Sequence, residues 1–334
     1  MPVPEPSYVS DFELDGRFER STGHPLVIGF LGLLVAFILF QGISLVVTLA
    51  ILLSAGVTLT DLLGNMEQVL SDHAASILVA NTIGQFFGLL LPALLFSRLH
   101  SSNWKSYLRL RGVDGKILAL SIVALFALIP LVQWFGVLSD GLPWPESIRN
   151  FEKSQMDLIE NILTKDFSLL FTISMLALTP AICEEVLFRG YFQRQAERSH
   201  GIVWGIILSG VVFGLYHMRL TQAIPLSMLG VFMAYLTWRT NSILPAMLVH
   251  LANNSFAAIL GKFATKEGAT IDLETFEMPL FVVIPATIVL IGVLMALHRL
   301  STVSEQVERT SRGANGEQSA STQSDPDEPT TSAL

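Results

Sequence analysis

The chain of 334 residues is too apolar for an ordinary soluble protein, since 51% of its residues are hydrophobic, 14% are charged and its mean hydropathy is +0.56. Soluble domains carry about 25% charged residues, so this composition predicts a protein of the lipid bilayer. The net charge of −8 and the lack of a basic tract exclude nucleic acid as an expected partner.

Eight apolar stretches are long enough to cross a membrane, given that a transmembrane helix needs about 20 residues. They lie at about 25–53, 74–98, 116–139, 167–192, 202–218, 221–238, 242–261 and 279–298. We therefore predict an all-α integral membrane protein with eight transmembrane helices.

Lysine and arginine predict the orientation of these helices, because both accumulate on the cytoplasmic side of membranes. With the amino terminus in the cytoplasm, the inner segments hold 14 of the 20 lysine and arginine residues and the outer segments hold 6. An odd number of spans would scramble this alternation. We therefore expect both termini in the cytoplasm. We also expect a multi-pass protein of a bacterial inner membrane.

The chain divides into six regions along this topology. Apolar residues at helical spacing among the charges of 145–165 predict an amphipathic helix on the outer face, with a solvated linker helix as the alternative. The end of the chain is rich in Ser, Thr, Asp, Glu and Gln, which predicts disorder. The regions are a cytoplasmic segment (1–24), a three-span region (25–139), the amphipathic segment (140–166), a core (167–261), a loop with the last span (262–298) and a disordered cytoplasmic tail (299–334).

Three charges fall within one predicted span, at Glu184, Glu185 and Arg189. A single charge at the bilayer centre costs roughly 2.5–3.5 kcal/mol, so the group needs partners or a function. Glu185 and Arg189 are four residues apart, share a helix face and can neutralise each other. Glu184 lies about 100° round the helix and lacks that partner, so we expect Glu185 to be structural and Glu184 to be free to act.

Two of the seven histidines, His217 and His250, lie in apolar surroundings. Glu184 precedes the turn near His200 by 16 residues and His217 follows it by 17, so an antiparallel pair of helices places the two at one level. His250 and Asn254 are four apart on a later span and share a face. We expect all four side chains to meet inside the membrane.

Two chemistries are open to such a group. Glu184, His217 and His250 could bind Zn²⁺ and leave one position for water. Alternatively, the glutamate and one histidine activate water directly, while the other histidine and Asn254 stabilise an oxyanion. Both routes lead to hydrolysis of a peptide bond within the membrane.

The ordered set Glu-Glu-x-x-x-Arg, Phe-x-x-x-His and His-x-x-x-Asn, on successive spans, resembles the motifs of the CPBP family. These are the CAAX protease and bacteriocin-processing, or Abi, membrane proteins, which include Rce1-type endopeptidases and lysostaphin-resistance-A-like proteins. The resemblance extends over about 167–258 and implies an eight-helix core with a site open towards the cytoplasm.

The resemblance also implies roles for individual residues. It implies that Glu184 activates water, that His217 and His250 orient water or a metal, and that Asn254 helps to stabilise the oxyanion. Glu185 and Arg189 would hold their helix in place. The family is often called metalloprotease, and the need for Zn²⁺ stays open here.

The expected function is that of an intramembrane endopeptidase, a peptidase in contact with membrane lipid whose peptide or protein substrate carries a membrane-associated or lipid-modified segment. The alternative is a non-catalytic membrane scaffold or immunity-type partner that keeps the polar cluster for structure. A transporter or proton relay is a third interpretation, because intramembrane Glu and His also mark such paths, but no internal repeat supports it.

Overall fold

A computed structural model describes residues 13–20, 23–266 and 278–321, and within these ranges the protein is helical and contains no strand. The predicted all-α class is therefore confirmed. The long helices are α1 (Pro25–Ser54), α2 (Ala74–His100), α3 (Gly115–Asp140), α4 (Glu146–Thr164), α5 (169–200), α6 (202–216), α7 (Ala223–Thr240), α8 (Leu244–Lys266) and α9 (Leu280–Ser321).

Helices α5 and α6 form one helical stretch, Leu169–Tyr216, that reverses direction at Gly201. Gly201 has φ 81°, a backbone conformation that glycine adopts without the steric penalty of a side chain. A Cβ atom at Gly205 would lie 2.4 Å from Cγ of Glu197, so the two arms pack against each other directly beside the bend. The tight connection predicted near residue 200 is present.

Six helical stretches of the described residues are long and apolar enough to cross a membrane. They are α1, α2, α3, the α5–α6 stretch, α8 over Leu244–Phe263 and α9 over Leu280–Ser301. The chain is thus an integral multi-pass membrane protein. The count of eight spans and the orientation stay predictions, because α5 and α6 fall within one stretch and the 18-residue α7 is not among the six.

Small residues bring α6 and α7 into close antiparallel contact. A Cβ atom at Gly210 would lie 2.4 Å from the backbone nitrogen of Val231, and one at Gly214 would lie 2.4 Å from Oγ of Ser227. Glycines at such positions let the backbones of membrane helices approach closely. This contact holds the end of α6, where His217 follows, against α7.

The amphipathic segment predicted at 145–165 is the helix α4. Its Ile162 is buried in a small apolar cluster with Ala74 and Leu78 of α2, whereas Phe151 is half exposed. The placement of α4 on the outer face of the membrane stays a prediction.

Helix α9 continues to Ser321 and so enters the segment 299–334, for which the sequence predicts disorder. No proline occurs between Pro285 and Pro326, and proline is the residue that interrupts helices most strongly. Residues 299–321 are thus helical, 322–334 lie outside the described residues, and the disorder of the tail stays a prediction.

Candidate active site

The adjacent carboxylates Glu184 and Glu185 lie where α5 departs from regular α-helical geometry. Wider π-helical turns occupy Ser174–Leu178 before them and Val186–Phe192 after them. Pro180 contributes to the irregularity, because it has no backbone N–H to donate to the preceding turn. Single π turns within α-helices are frequent at functional sites.

Glu185 is the buried centre of an ion-pair network. Its Oε1 accepts a hydrogen bond from Nη1 of Arg189 at 3.1 Å and lies 2.8 Å from Nδ1 of His250. Glu185 and Arg189 are fully buried, and His250 is 2% exposed. Arg189 also donates from Nη2 to the carbonyl of Gly230 in α7 at 3.1 Å. The pairing predicted from the four-residue spacing of Glu185 and Arg189 is confirmed.

The second carboxylate, Glu184, faces His217 instead. The Nε2 atom of His217 lies 3.8 Å from Oε2 of Glu184, which is longer than a hydrogen bond. Oε2 of Glu184 is buried and has no hydrogen-bond partner. The side chain of Glu184 is 15% exposed and that of His217 is 31% exposed, so this pair lies closer to the protein surface than Glu185 and His250. The predicted meeting of Glu184 and His217 across the hairpin is found.

The tautomer of His217 follows from its other ring nitrogen. Nδ1 lies 2.8 Å from the carbonyl oxygen of Phe213, one turn earlier in α6. A carbonyl can only accept, so Nδ1 carries the proton and donates it. In the neutral imidazole Nε2 is then an acceptor, and it points at a second acceptor, the Glu184 carboxylate. A molecule that donates two hydrogens, such as water, satisfies both atoms.

The ring of Phe213 separates the two acid–histidine pairs. It makes edge contacts with His217 (centroids 4.7 Å apart), His250 (5.7 Å) and Phe188 (5.3 Å). The guanidinium of Arg189 stacks over the same ring, 4.2 Å from its centroid. The Phe of the Phe-x-x-x-His motif thus fixes both histidines and receives a cation–π contact from the arginine.

Asn254 joins α8 to α5. Its Nδ2 donates to the carbonyl of Leu176 at 3.2 Å, and its Oδ1 accepts from Nδ2 of Asn253 at 3.3 Å. In a regular α-helix the carbonyl of Leu176 accepts a hydrogen bond from the residue four positions later. That residue is Pro180, which has no N–H to donate. Asn254 therefore supplies a donor at the place where proline removes one.

The structure gives His250 a partner that the sequence does not predict. The sequence prediction groups His250 with Glu184 and His217, either around zinc or around water, and in the structure Nδ1 of His250 pairs with Glu185. Height along a helix can be counted from the sequence, but the direction in which a residue of α8 faces depends on how α8 packs against α5. The two acid–histidine pairs are therefore Glu184 with His217 and Glu185 with His250.

The predicted zinc ligands Glu184, His217 and His250 are not gathered as a metal site. Among the described residues, no group of three or more histidine, cysteine, aspartate or glutamate side chains is placed to hold a metal ion. Nδ1 of His250 is directed at Glu185, and Nε2 of His217 lies 3.8 Å from Oε2 of Glu184. The described residues thus show no such group around these three side chains, and both the zinc ligands and the need for zinc stay predictions.

Two further buried polar residues of α5 escaped the sequence prediction. Gln193 and Glu197 continue the four-residue spacing of Glu185 and Arg189, and all four are at most 2% exposed. Gln193 donates to Oε1 of Glu197 at 2.8 Å and to the carbonyl of Ala234 at 3.0 Å. The regular spacing of four polar residues in an apolar stretch was the signal that could have found them.

This polar stripe fixes the rotation of α5 against α7. Arg189 and Gln193 donate to two carbonyls of α7 that are also four residues apart. At the far end, Glu197 forms a buried ion pair with Arg109, whose carbonyl accepts from the backbone N–H of Ile243 just before α8. The stripe thus connects α5, which carries Glu184, to α7 and to the start of α8, which carries His250.

Together, the fold and the site define the class as a multi-pass helical membrane protein with a buried cluster of two acid–histidine pairs. Residues 166–256 match the family model described as type II CAAX prenyl endopeptidase, Rce1-like. The matched segment contains all six predicted site residues, and the matching model is of the CAAX protease family that the three motifs resemble. It is a family of membrane proteases. No curated protein and no solved structure matches the chain.

Proposed function

We propose that the protein is an intramembrane endopeptidase that hydrolyses a peptide bond with a water molecule activated between Glu184 and His217. The observation that carries the proposal is the 3.8 Å separation of Oε2 of Glu184 and Nε2 of His217, two atoms that face each other without a direct hydrogen bond. Oε2 of Glu184 is buried and unpartnered, so its hydrogen-bonding capacity is available for the reacting water.

The proposed mechanism needs a base and a positioned nucleophile. A water that donates one hydrogen to Glu184 and the other to His217 presents its oxygen lone pair away from both. Attack on the scissile carbonyl transfers one proton from water to Glu184, which then delivers it to the leaving amine. A positioned general base contributes typically 10²–10⁴-fold to such a rate. No step of this mechanism is routed through a metal ion.

The second pair orients the reacting water and balances the charge of the site. Nδ1 of His250 donates to Glu185, so Nε2 of the neutral imidazole is an acceptor that can help to orient the water or the substrate. Asn254 lies one turn further along α8 and aligns that helix with α5. Arg189 neutralises Glu185, so that a single net negative charge, on Glu184, stands in the site.

The proposed substrate is a peptide or protein with a membrane-associated or lipid-modified segment, because the site lies on helices long and apolar enough to span a membrane. We further propose that α5, α6 and α7 each cross the membrane, which gives eight spans. The membrane would be a bacterial inner membrane, with both termini of the protein in the cytoplasm. The charge distribution of the loops supports this orientation.

The experiment compares membrane peptides from cells that carry the wild type, Glu184→Gln or Glu146→Gln. Glu146 is an exposed carboxylate at the start of α4 and serves as the matched control. We expect uncleaved substrate to accumulate with Glu184→Gln alone. Identical peptide profiles for all three would favour the non-catalytic scaffold instead.

A further inference from the structure

The turn that follows His217 is held by a carboxylate from another helix. Helix α6 ends at Tyr216, and α7 begins at Ala223. Between them Met218 has φ 55°, a left-handed conformation that residues other than glycine rarely adopt. A turn with such strain persists only where surrounding contacts hold it.

Glu152 of α4 supplies these contacts. Its Oε1 accepts from the backbone N–H groups of Leu220 (2.6 Å) and Thr221 (3.3 Å), and its Oε2 accepts from Oγ1 of Thr221 (2.5 Å). All three donors lie within four residues of His217. Hydrogen bonds to an ionised carboxylate are about twice as strong as those between neutral groups.

The burial of Glu152 is unusual for its helix. Glu146, Arg149 and Lys153 of α4 are exposed, as expected for the polar face of an amphipathic helix, whereas Glu152 is 5% exposed. A charged side chain is buried only where it is paired or fully hydrogen-bonded. The partners of Glu152 belong to the turn beside the site, so its burial depends on the position of that turn.

The other end of α4 contacts the helix of the second histidine. A Cβ atom at Gly261 of α8 would lie 2.8 Å from Cδ1 of Leu163, and Nζ of Lys262 donates to the carbonyl of Lys165 at 3.4 Å. Helix α4 thus connects the turn after His217 with α8, which carries His250. It joins the two sides of the site from outside the segment that matches the endopeptidase family.

We infer that Glu152 is a positioning residue for the proposed hydrolysis, which holds His217 at the distance from Glu184 that admits one water. The inference rests on the proposed function. The ring of His217 is oriented within α6 by the carbonyl of Phe213, but the position of its backbone depends on the turn that Glu152 holds. Loss of these contacts lets the turn relax and widens or narrows the gap between His217 and Glu184.

The test compares Glu152→Ala and Thr221→Val with the control Glu146→Ala in purified protein. Glu146 is an exposed glutamate on the same helix, and Thr221→Val removes one hydrogen bond while it keeps the shape of the side chain. We expect kcat for a cleaved membrane peptide to fall about 10- to 100-fold for Glu152→Ala with KM little changed, since small misplacements of reacting groups have effects of this size. Thr221→Val lowers kcat less.

A second readout does not depend on activity. Diethyl pyrocarbonate modifies accessible imidazoles, and mass spectrometry measures its rate at His217 and at the buried His250 in each variant. We expect faster modification of His217 in Glu152→Ala and Thr221→Val, with His250 unchanged. If the wild type cleaves nothing but His217 responds in this way, the proposed function fails and the positioning contact stands.

Glu152→Ala is informative only if the variant folds. If it does not fold, Thr221→Val decides the question. A Thr221→Val protein that matches the wild type in both kcat and His217 modification would overturn the inference. Equal effects of Glu146→Ala and Glu152→Ala would overturn it as well, because any change in the charge of α4 would then suffice.

Discussion

Replacement of Arg189 by methionine tests whether the buried ion pair holds Glu185 and His250 in place. Methionine keeps much of the length of the side chain and removes its charge. The change removes the hydrogen bonds of Arg189 to Glu185 and to the carbonyl of Gly230, and its stacking on Phe213 at 4.2 Å. It leaves Glu185, which is fully buried, with His250 as its remaining partner.

The magnitude follows from the isolation of that charge. Removal of one partner of a buried ion pair destabilises a protein by about 3–5 kcal/mol, because the other charge is left uncompensated. The double variant Glu185→Gln/Arg189→Met has no such charge, and glutamine can still hydrogen-bond to His250. We therefore expect the double variant to be more stable than Arg189→Met alone, with a coupling of roughly 0.5–3 kcal/mol.

The assay is the unfolding free energy of the wild type, both single variants and the double variant in mixed detergent micelles, followed by circular dichroism. Arg189→Met should be the least stable of the four. An Arg189→Met protein as stable as the wild type would refute the reasoning. Strict additivity of the two single changes would refute it too, because Glu185 and Arg189 would then not depend on each other.

Two other predictions concern helix packing and the amino-terminal segment. Gly210→Ala places a methyl group 2.4 Å from the backbone of α7 and should destabilise the protein by about 1–3 kcal/mol in the same unfolding assay, whereas Gly42→Ala, with open space around it, should not. Burial acts to raise the pKa of Glu19, whereas the hydrogen bonds from His100 and Arg198 act to lower it. The hydrogen bonds have the larger combined effect, so the pKa lies below its ordinary value of 4.5. The contribution of Glu19 to stability is therefore present above pH 4.5 and lost as the pH falls through its lower folded-state pKa. The backbone N–H of Gly16 donates to the carbonyl of His100. Below pH 4.5 the exchange of this amide hydrogen should become faster relative to the intrinsic exchange rate of an unprotected amide, and Glu19→Gln should abolish this pH dependence.

The sequence predicts the contacts that depend on local geometry. The spacing of Glu185 and Arg189 predicts their pairing, because residues four apart meet on any helix. The nearly equal distances of Glu184 and His217 from the turn predict their contact, because a short connection forces two helices to lie antiparallel. Both contacts are present.

The contacts that the sequence did not predict depend on tertiary packing. The pairing of His250 with Glu185 depends on the rotation of α8, which Asn254 and its contact with Leu176 help to set. Glu152 could not be recognised, because a glutamate among the charged residues of an amphipathic helix is indistinguishable from its solvated neighbours until the turn it contacts is known. Gln193 and Glu197 are a different case, since their spacing was visible in the sequence.

The most direct test of the central claim is the rate at which purified protein in liposomes cleaves a membrane-anchored substrate peptide, measured for the wild type and for Glu184→Gln. Glutamine keeps the size of the side chain and cannot accept the proton of water, so the rate should fall by about 10²–10⁴-fold while the unfolding free energy stays close to that of the wild type. Equal rates for the two proteins would contradict the assignment of Glu184 as the group that activates water.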